Sequence, residues 1–401
     1  MPEPTTPPRS ADVVIIGGGI MGASTAWFLA RKMGFDGSII VVERDPTYQF
    51  ASTTHTNSCM RQQFSTALNV QISQFAAEFV KGLRAQMGDN PLVPELTIQS
   101  FGYMYLAASP EAAIVLRENA KVQHAVGTET QLMSPAEIKL AYPFYNVDDI
   151  ELGSINLRDE GYWDGNTVFE WFRRDARAGG VTFLEDEVDS LTRKGAKITD
   201  VALASGASIA CGAVVNAAGP RASQVAQLAG FEIPVEPRKR YSWVFKAAKP
   251  LDRELPLTID PSGVHVRENN GGTYQAGGHA DVDPAVAYDD FEMDHGLWED
   301  KIWPILATRI PQFEEIKLTH SWAGHYAYNT LDQNAILGPH PECPNFHFIN
   351  GFSGHGLQQS PAMGRGLAEM LAFGAYRSLD LCPFSVERVL TGTPLVERAV
   401  I

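Results

Sequence analysis

Residues 12–44 read DVVIIGGGIMGASTAWFLARKMGFDGSIIVVER, and the fold follows from this stretch. DVVII is an apolar run rich in β-branched residues, the pattern of a strand buried on both faces. A glycine cluster follows, then a segment with helical spacing, then a second apolar strand at 38–44. Strand, glycine turn, helix and strand make a βαβ unit. Within GGGIMG, the residues Gly17, Gly19 and Gly22 form GxGxxG, and Glu43 ends the second strand about 20 residues later. Gly17 permits the tight turn, Gly19 lets backbone approach a pyrophosphate, and Gly22 lets helix and strand pack closely. The helix N-terminus then faces phosphate charge. Glu43 can accept from both ribose hydroxyls and would repel a 2′-phosphate, which disfavours NADP. The motif alone leaves FAD and NAD both open.

Composition bounds the remaining classes. The chain has 401 residues, 44% hydrophobic and 20% charged, with a formal net charge of −15. Such a balance describes a globular chain with a large core. Its acidity argues against nucleic acid or anionic membranes as partners. No apolar run reaches 18 residues, so no transmembrane segment is expected. The start, MPEPTTPPRS, reads as a short disordered tail rather than a secretory signal. The cysteines, Cys59, Cys211, Cys343 and Cys382, are scattered and form no CxxC. Disulfide scaffolding and a metal site are not expected, and a reducing cytoplasm is the expected compartment. Glycine is enriched at 35 residues, which fits tight turns or loops that approach a ligand.

Further along, residues 67–88 and 109–127 read as helices, 181–188 and 195–204 as strands, and 213–220 (AVVNAAGP) as a strand entering a glycine turn. Residues 256–280 read as antiparallel strands around an NNGG hairpin. NFHFINGFSGHG at 345–356 is strand then glycine loop, followed by a helix at 360–375. No composition shift marks a domain boundary, so the domains are expected to interleave.

Four motifs span nearly the whole chain: VVIIGGGIMGAS at 13–24, GYWDG at 161–165, VVNAAGPRAS at 214–223 and NGFSGHGLQQSPAMGRGLAEML at 350–371. Together they resemble the D-amino-acid oxidase-type FAD-dependent oxidoreductases, which include sarcosine oxidase, glycine oxidase and dimethylglycine dehydrogenase. RQQFS at 61–65 and YNTLDQNAILGPHP at 328–341 look most like a subgroup that includes mitochondrial flavoproteins associated with respiratory-complex assembly. The resemblance implies an α/β fold, with a Rossmann-like FAD-binding domain from residues 1–90, 151–232 and 326–401. It would interleave with an α+β substrate domain, built on an antiparallel sheet, from 91–150 and 233–325.

It also implies roles. Gly17, Gly19, Ile20, Met21 and Gly22 would hold the FAD pyrophosphate, and Glu43 with Arg44 would flank the adenosine ribose. Val188 would meet adenine. Ala217, Ala218 and Gly219 would line the dinucleotide, and Ser52 and Thr53 would meet phosphate and ribityl oxygens. Gly354, His355, Gly356 and Leu357 would lie beside the flavin ring, where amides and a helix N-terminus stabilise negative charge. His55 matches a flavin-linked histidine of dimethylglycine dehydrogenase; the unlinked reading is favoured. His325 falls where sarcosine oxidase has its flavin-linked cysteine.

On the substrate side, Arg61 matches an arginine that binds a carboxylate, a role suited to a planar guanidinium. His279 matches a histidine near substrate, and Tyr328 offers an aromatic wall, as do Tyr241 and Trp243. Gln358 stands where sarcosine oxidase has a second carboxylate-binding lysine, and Gln275 where the family has an oxygen-activating lysine. The expected activity is oxidation of a secondary or tertiary amino acid at a C–N bond, by a dehydrogenase rather than an oxidase. Its partners would be a small amino-acid substrate and an electron acceptor: quinone, electron-transfer protein or oxygen. Three other readings remain: a 2-hydroxy-acid dehydrogenase, a flavoprotein assembly factor without turnover, and a catalytic subunit that works only with partner subunits.

Overall fold

A strand buried on both faces belongs at the centre of a sheet, and β1 (Ser10–Ile16) lies there in the computed structural model, which describes residues 7–269 and 272–399. It pairs in parallel with β2 (Ile39–Glu43) on one side and with Ser208–Asn216 on the other. The sheet runs Ile336–His340, Cys343–Asn350, Ser208–Asn216, β1, β2, Thr182–Glu185, with Lys197–Leu203 and Val188–Lys194 extending from Ser208–Asn216. Helix α1 (Ile20–Lys32) packs on one face, against Gly165–Ala178 and Gly356–Phe373. Trp27 of α1 sits within a cluster of Phe28, Phe79 and Phe172 rings. Its indole N–H donates to Asp175 at 2.7 Å, so this large side chain is buried without an orphaned polar group.

A second eight-stranded sheet runs Ile316–Asn329, Val235–Ala247, Thr273–Gly278, His265–Asn269, Leu257–Ile259, Tyr103–Ala107, Leu152–Asn156, Gln131–Met133. All its pairs are antiparallel except that between Leu257–Ile259 and Tyr103–Ala107. Strand membership differs from the expected segment limits at two places. Leu152–Asn156 belongs to the second sheet, not with 151–232 in the first. Ile316–Asn329 carries the second sheet past residue 326. The two long strands Val235–Ala247 and Ile316–Asn329 were not expected, because both mix polar and apolar residues on half-buried faces.

Helix limits follow local chemistry. The expected 67–88 helix is Ala67–Lys81 plus Leu83–Gln86, interrupted at Gly82. The 109–127 helix is Pro110–Ala125, capped by the Ser109 hydroxyl. The last helix starts earlier than expected, at Gly356, and ends at Gly374 in the left-handed region. Pro361 inside it cannot donate to the Leu357 carbonyl; the Ser360 hydroxyl does so instead, at 2.9 Å. The expected hairpin joins His265–Asn269 to Thr273–Gly278, with Asn270 and Gly271 of its NNGG turn outside the described residues. Most of the expected disordered tail, residues 1–6, also lies outside them.

A separate two-stranded ribbon pairs Cys59–Met60 with Gly161–Tyr162, next to Arg61 in the chain. Gly161 has φ +145°, and a Cβ there would lie 1.8 Å from the Gln99 carbonyl oxygen. Gly180 also has positive φ, +93°, but open space around it. Gly161→Ala is therefore expected to lower unfolding stability by about 2 kcal/mol more than Gly180→Ala. Urea unfolding checks this, and equal losses would contradict it.

Candidate functional site

The carboxyl ends of β1 and β2 open onto a cavity of about 1000 Å³ that extends to the second sheet. At one end, Gly17 (φ +102°) brings its backbone so close to Ala217 that a Cβ would lie 2.5 Å from the carbonyl oxygen. Gly17, Gly19, Ile20 and Met21 line the cavity. Gly22 lies behind them, where a Cβ would be 2.0 Å from the Gly17 oxygen. Helix α1 has no side-chain cap from its own N-cap residue. Instead the Thr53 hydroxyl, from a distant loop, accepts from Ile20 N–H at 3.1 Å, and it also lines the cavity.

Glu43 accepts from the amides of Gly18 (2.7 Å) and Asp45 (2.8 Å). Burial raises its pKa, while these amides oppose the rise. Arg44, Val188, Ala217, Ala218 and Gly219 share this end of the cavity. Arg44 makes only an exposed 3.7 Å ion pair with Glu187, which leaves it available to a ligand.

In the middle, Ser52 donates to the His325 carbonyl at 2.5 Å. The His55 Nδ1 is 3.2 Å from the Ala51 carbonyl oxygen. The His325 ring stacks on Phe291 at 4.2 Å, and burial lowers its pKa. At the far end, Gly354 has φ +96°, and a Cβ there would meet the Tyr326 ring at 2.4 Å. His355, Gly356, Leu357 and Gln358 follow as lining residues.

Arg61 is 2% exposed. Its own N–H donates to Gln358 Oε1 at 2.8 Å, and its guanidinium stacks on Phe64 at 4.4 Å. One terminal nitrogen donates to the Tyr105 hydroxyl; the other donates to the Ala399 carbonyl and, at 2.9 Å, to His355 Nε2. His355 must accept there, so its neutral ring carries the proton on Nδ1. Burial first, and Arg61 second, hold its pKa well below the usual value. Three of five guanidinium N–H groups are thus used, and Nε has no partner among the described residues.

His279 and Tyr328 are not brought to this site. The His279 Nδ1 contacts its neighbour's carbonyl, that of Ala280, at 2.7 Å, and its own carbonyl accepts from Lys301. The Tyr328 ring lies under Arg238. Tyr326, two residues earlier on the same strand, lines the cavity instead. Tyr241 also lines it, whereas Trp243 is buried in the core of the second sheet. Gln275 lies one layer back, accepting from Arg267 at 2.9 Å and donating to Asn57. Sequence reasoning missed Asn57, Tyr103, Arg240, His265 and Tyr326, all cavity-lining. His265 is neutral at physiological pH, since burial pushes its pKa down to about 4. Only long-range strand pairing brings these residues together; Asn57, within ASTTHTNSCMR, had a motif to point to it.

The cavity therefore fits a long, charged dinucleotide. Glycines admit backbone where a Cβ would clash, a helix N-terminus faces one end, and the volume reaches the upper range of small-molecule sites. Comparison with known proteins agrees. Residues 12–370 match the family described as DAO, FAD dependent oxidoreductase. The FAD-dependent oxidoreductase domain-containing protein 1 of Xenopus laevis is 38% identical over 433 residues, covering 100% of this chain and 87% of that protein. Mitochondrial sarcosine dehydrogenase of Mus musculus is 25% identical over 394 residues, covering 95% of this chain but 42% of that protein. The crystal structure of L-proline dehydrogenase from P. horikoshii superposes with a TM-score of 0.83 at 25% identity, covering 96% of this chain and 99% of that one.

Beneath Arg61 lies Glu160, fully buried, accepting from the Gln62 and Gln63 amides at 2.6 and 3.1 Å. Burial raises its pKa to about 7 against these bonds and Arg61. A folded-state pKa above the usual 4.5 means the folded protein binds this proton more tightly than the unfolded chain. Its contribution is present below pH about 4.5 and is lost as pH rises through about 7. Wild-type stability relative to Glu160→Gln should thus fall across that window and level off above it. Urea midpoints of both proteins at several pH values check this.

Proposed function

The chain belongs to the DAO family of FAD-dependent oxidoreductases, and on that premise we propose that it oxidises a secondary or tertiary amino acid at a C–N bond. The observation that carries this reading is Arg61: a guanidinium at the Gly354–Gln358 end of the cavity, stacked on Phe64, with Nε unpartnered. Such a group suits a substrate carboxylate, and in an acidic chain it supplies the local positive charge an anion needs. FAD, which the Gly17–Gly22 turn and the Gly354–Leu357 loop would hold, would supply the two-electron oxidation at the carbon beside nitrogen.

The chain's residues orient and insulate. Gln358 holds the Arg61 backbone, Phe64 holds the guanidinium plane, and neutral His355 accepts from it without competing for the anion. Tyr326 and Tyr241 supply aromatic wall. No ionised base is required, because a neutral amine can lose hydride unaided, and His265 is a neutral cavity group. The names of the relatives, sarcosine dehydrogenase and L-proline dehydrogenase, are consistent with a secondary amine substrate. Gln275, engaged with Arg267 and Asn57 where oxidases of the family carry a lysine, supports transfer to a partner acceptor over oxygen.

Anaerobic addition of sarcosine, N,N-dimethylglycine or L-proline should bleach the oxidised flavin absorbance. Arg61→Ala should raise the KM for the carboxylate substrate by about tenfold to a hundredfold. Bleaching only by 2-hydroxy acids would reassign the substrate, and no bleaching by either class would favour a flavin-binding role without turnover. Acid precipitation should release the yellow colour into the supernatant, because His55 is taken as unlinked; colour retained in the pellet would reverse that.

A further inference from the structure

The RQQFS stretch that begins with Arg61 is gripped from two sides by buried carboxylates that come from far along the chain. Glu160 takes the Gln62 and Gln63 amides, together with Gln63 Nε2 and Asn156 Nδ2 at 2.9 and 3.0 Å. Glu397, 2% exposed, takes the Ser65 amide at 2.7 Å and Asn69 Nδ2 at 2.9 Å. It also takes the Ala399 amide, at 3.0 Å. Next to it, the Arg398 amide donates to the Ser65 hydroxyl at 2.9 Å.

The same segment is anchored upstream. The Leu395 amide donates to Asp332 at 2.9 Å, and the Leu395 carbonyl accepts from Asn334 at 2.5 Å. Asp332 is itself held by Arg388 at 2.7 Å. The strap ends with the Ala399 carbonyl accepting from the Arg61 guanidinium. Neither Glu397 nor Ala399 lines the cavity, so the strap supports Arg61 from behind.

A guanidinium on a flexible stem loses affinity for an anion by the freedom it must surrender. Here that freedom is already removed. Tyr105 and Ala399 each hold one terminal nitrogen, His355 shares the second, and Phe64 holds the plane. We propose that residues 395–399 are a working part of the anion-binding site, and that Glu397 is a positioning residue for Arg61. Glu397 docks the strap on the RQQFS turn, and the strap fixes which N–H groups of Arg61 remain for a ligand carboxylate. The inference rests on the reading of Arg61 as the carboxylate site.

Titrating the FAD-loaded protein with benzoate, and with benzamide as its uncharged counterpart, tests it through the shift in flavin absorbance. Glu397→Ala is expected to weaken benzoate about tenfold, a loss of one well-placed charged hydrogen bond, and to leave benzamide unchanged. Replacing residues 397–399 by Gly-Ser-Gly should give the same loss. Glu118→Ala, which removes the exposed pair with Arg398 without altering the strap, should have no effect. In an Arg61→Ala background, Glu397→Ala should add nothing, the non-additivity expected of residues acting through one another. If Arg61→Ala weakens benzoate but Glu397→Ala does not, or weakens both ligands alike, the strap inference is wrong while the Arg61 reading stands. If Arg61→Ala leaves benzoate unaffected, or the wild type gives no response, the Arg61 reading fails and the inference falls with it.

Discussion

At the GxGxxG end of the cavity the structure depends on the absence of a side chain between two stretches of backbone. A Cβ on Gly22 would sit 2.0 Å from the Gly17 carbonyl oxygen, so α1 can leave β1 at this angle only because no side chain stands there. That angle aims the first amides of α1 at the cavity and sets α1 against the last helix. Gly364 plays the matching part, since a Cβ there would meet the Ser24 hydroxyl at 2.1 Å. Through these contacts α1 becomes the hinge pin between the first and last segments of the sheet. The loop at Gly354 is thus held in fixed relation to the glycine turn at Gly17.

Those features were legible because they are local. A strand buried on both faces, a glycine cluster and an acid at the end of the next strand lie within 33 consecutive residues, and each has one physical explanation. The helix caps at Ser109 and Gly374 were similarly close to readable. What escaped was everything set by pairing across sequence distance. Val235–Ala247 and Ile316–Asn329 pair along nearly their whole lengths, yet neither carries a clean alternation, because each borders the cavity for part of its course. A one-position difference along such a strand turns a side chain to the other face, and two positions carry it a full 6 to 7 Å along the strand. That is the difference between Tyr326 in the cavity and Tyr328 outside it. His279 was lost for a related reason: it lies just past the end of Thr273–Gly278, while His265, on the neighbouring strand, points inward.

Charge also distributes in a way that composition conceals. A net charge of −15 suggests a uniformly negative molecule, but the cavity wall is mixed: Arg44, Arg61, Arg221 and Arg240 line it together with Glu43, Asp45, Asp186, Glu187, Asp289 and Glu292. Arg240 is balanced by Asp283 at 2.8 Å, whereas among the described residues no carboxylate pairs with the Arg61 guanidinium; Glu160 and Glu397 accept instead from the amides of the turn that carries it. Buried charges without such partners carry a large desolvation cost. The Arg61 guanidinium, nearly dry, is held by neutral acceptors: the Tyr105 hydroxyl, the Ala399 carbonyl and His355.

The order of strands in the first sheet has a consequence for how the molecule comes into being. β1 leaves the ribosome about two hundred residues ahead of its partner Ser208–Asn216, and Cys343–Asn350 follows later still. Contacts this distant close slowly, because loop entropy must be lost before they repay it. Until they close, the apolar faces of β1 and β2 lack their cover, a state prone to misassociation. The cavity also cannot exist in partial form, because its walls come from the early glycine turn, the middle strands and the loop before the last helix. Any dinucleotide that binds only the finished cavity therefore shifts the folding equilibrium itself, and cofactor supply during synthesis becomes a determinant of how much native protein accumulates.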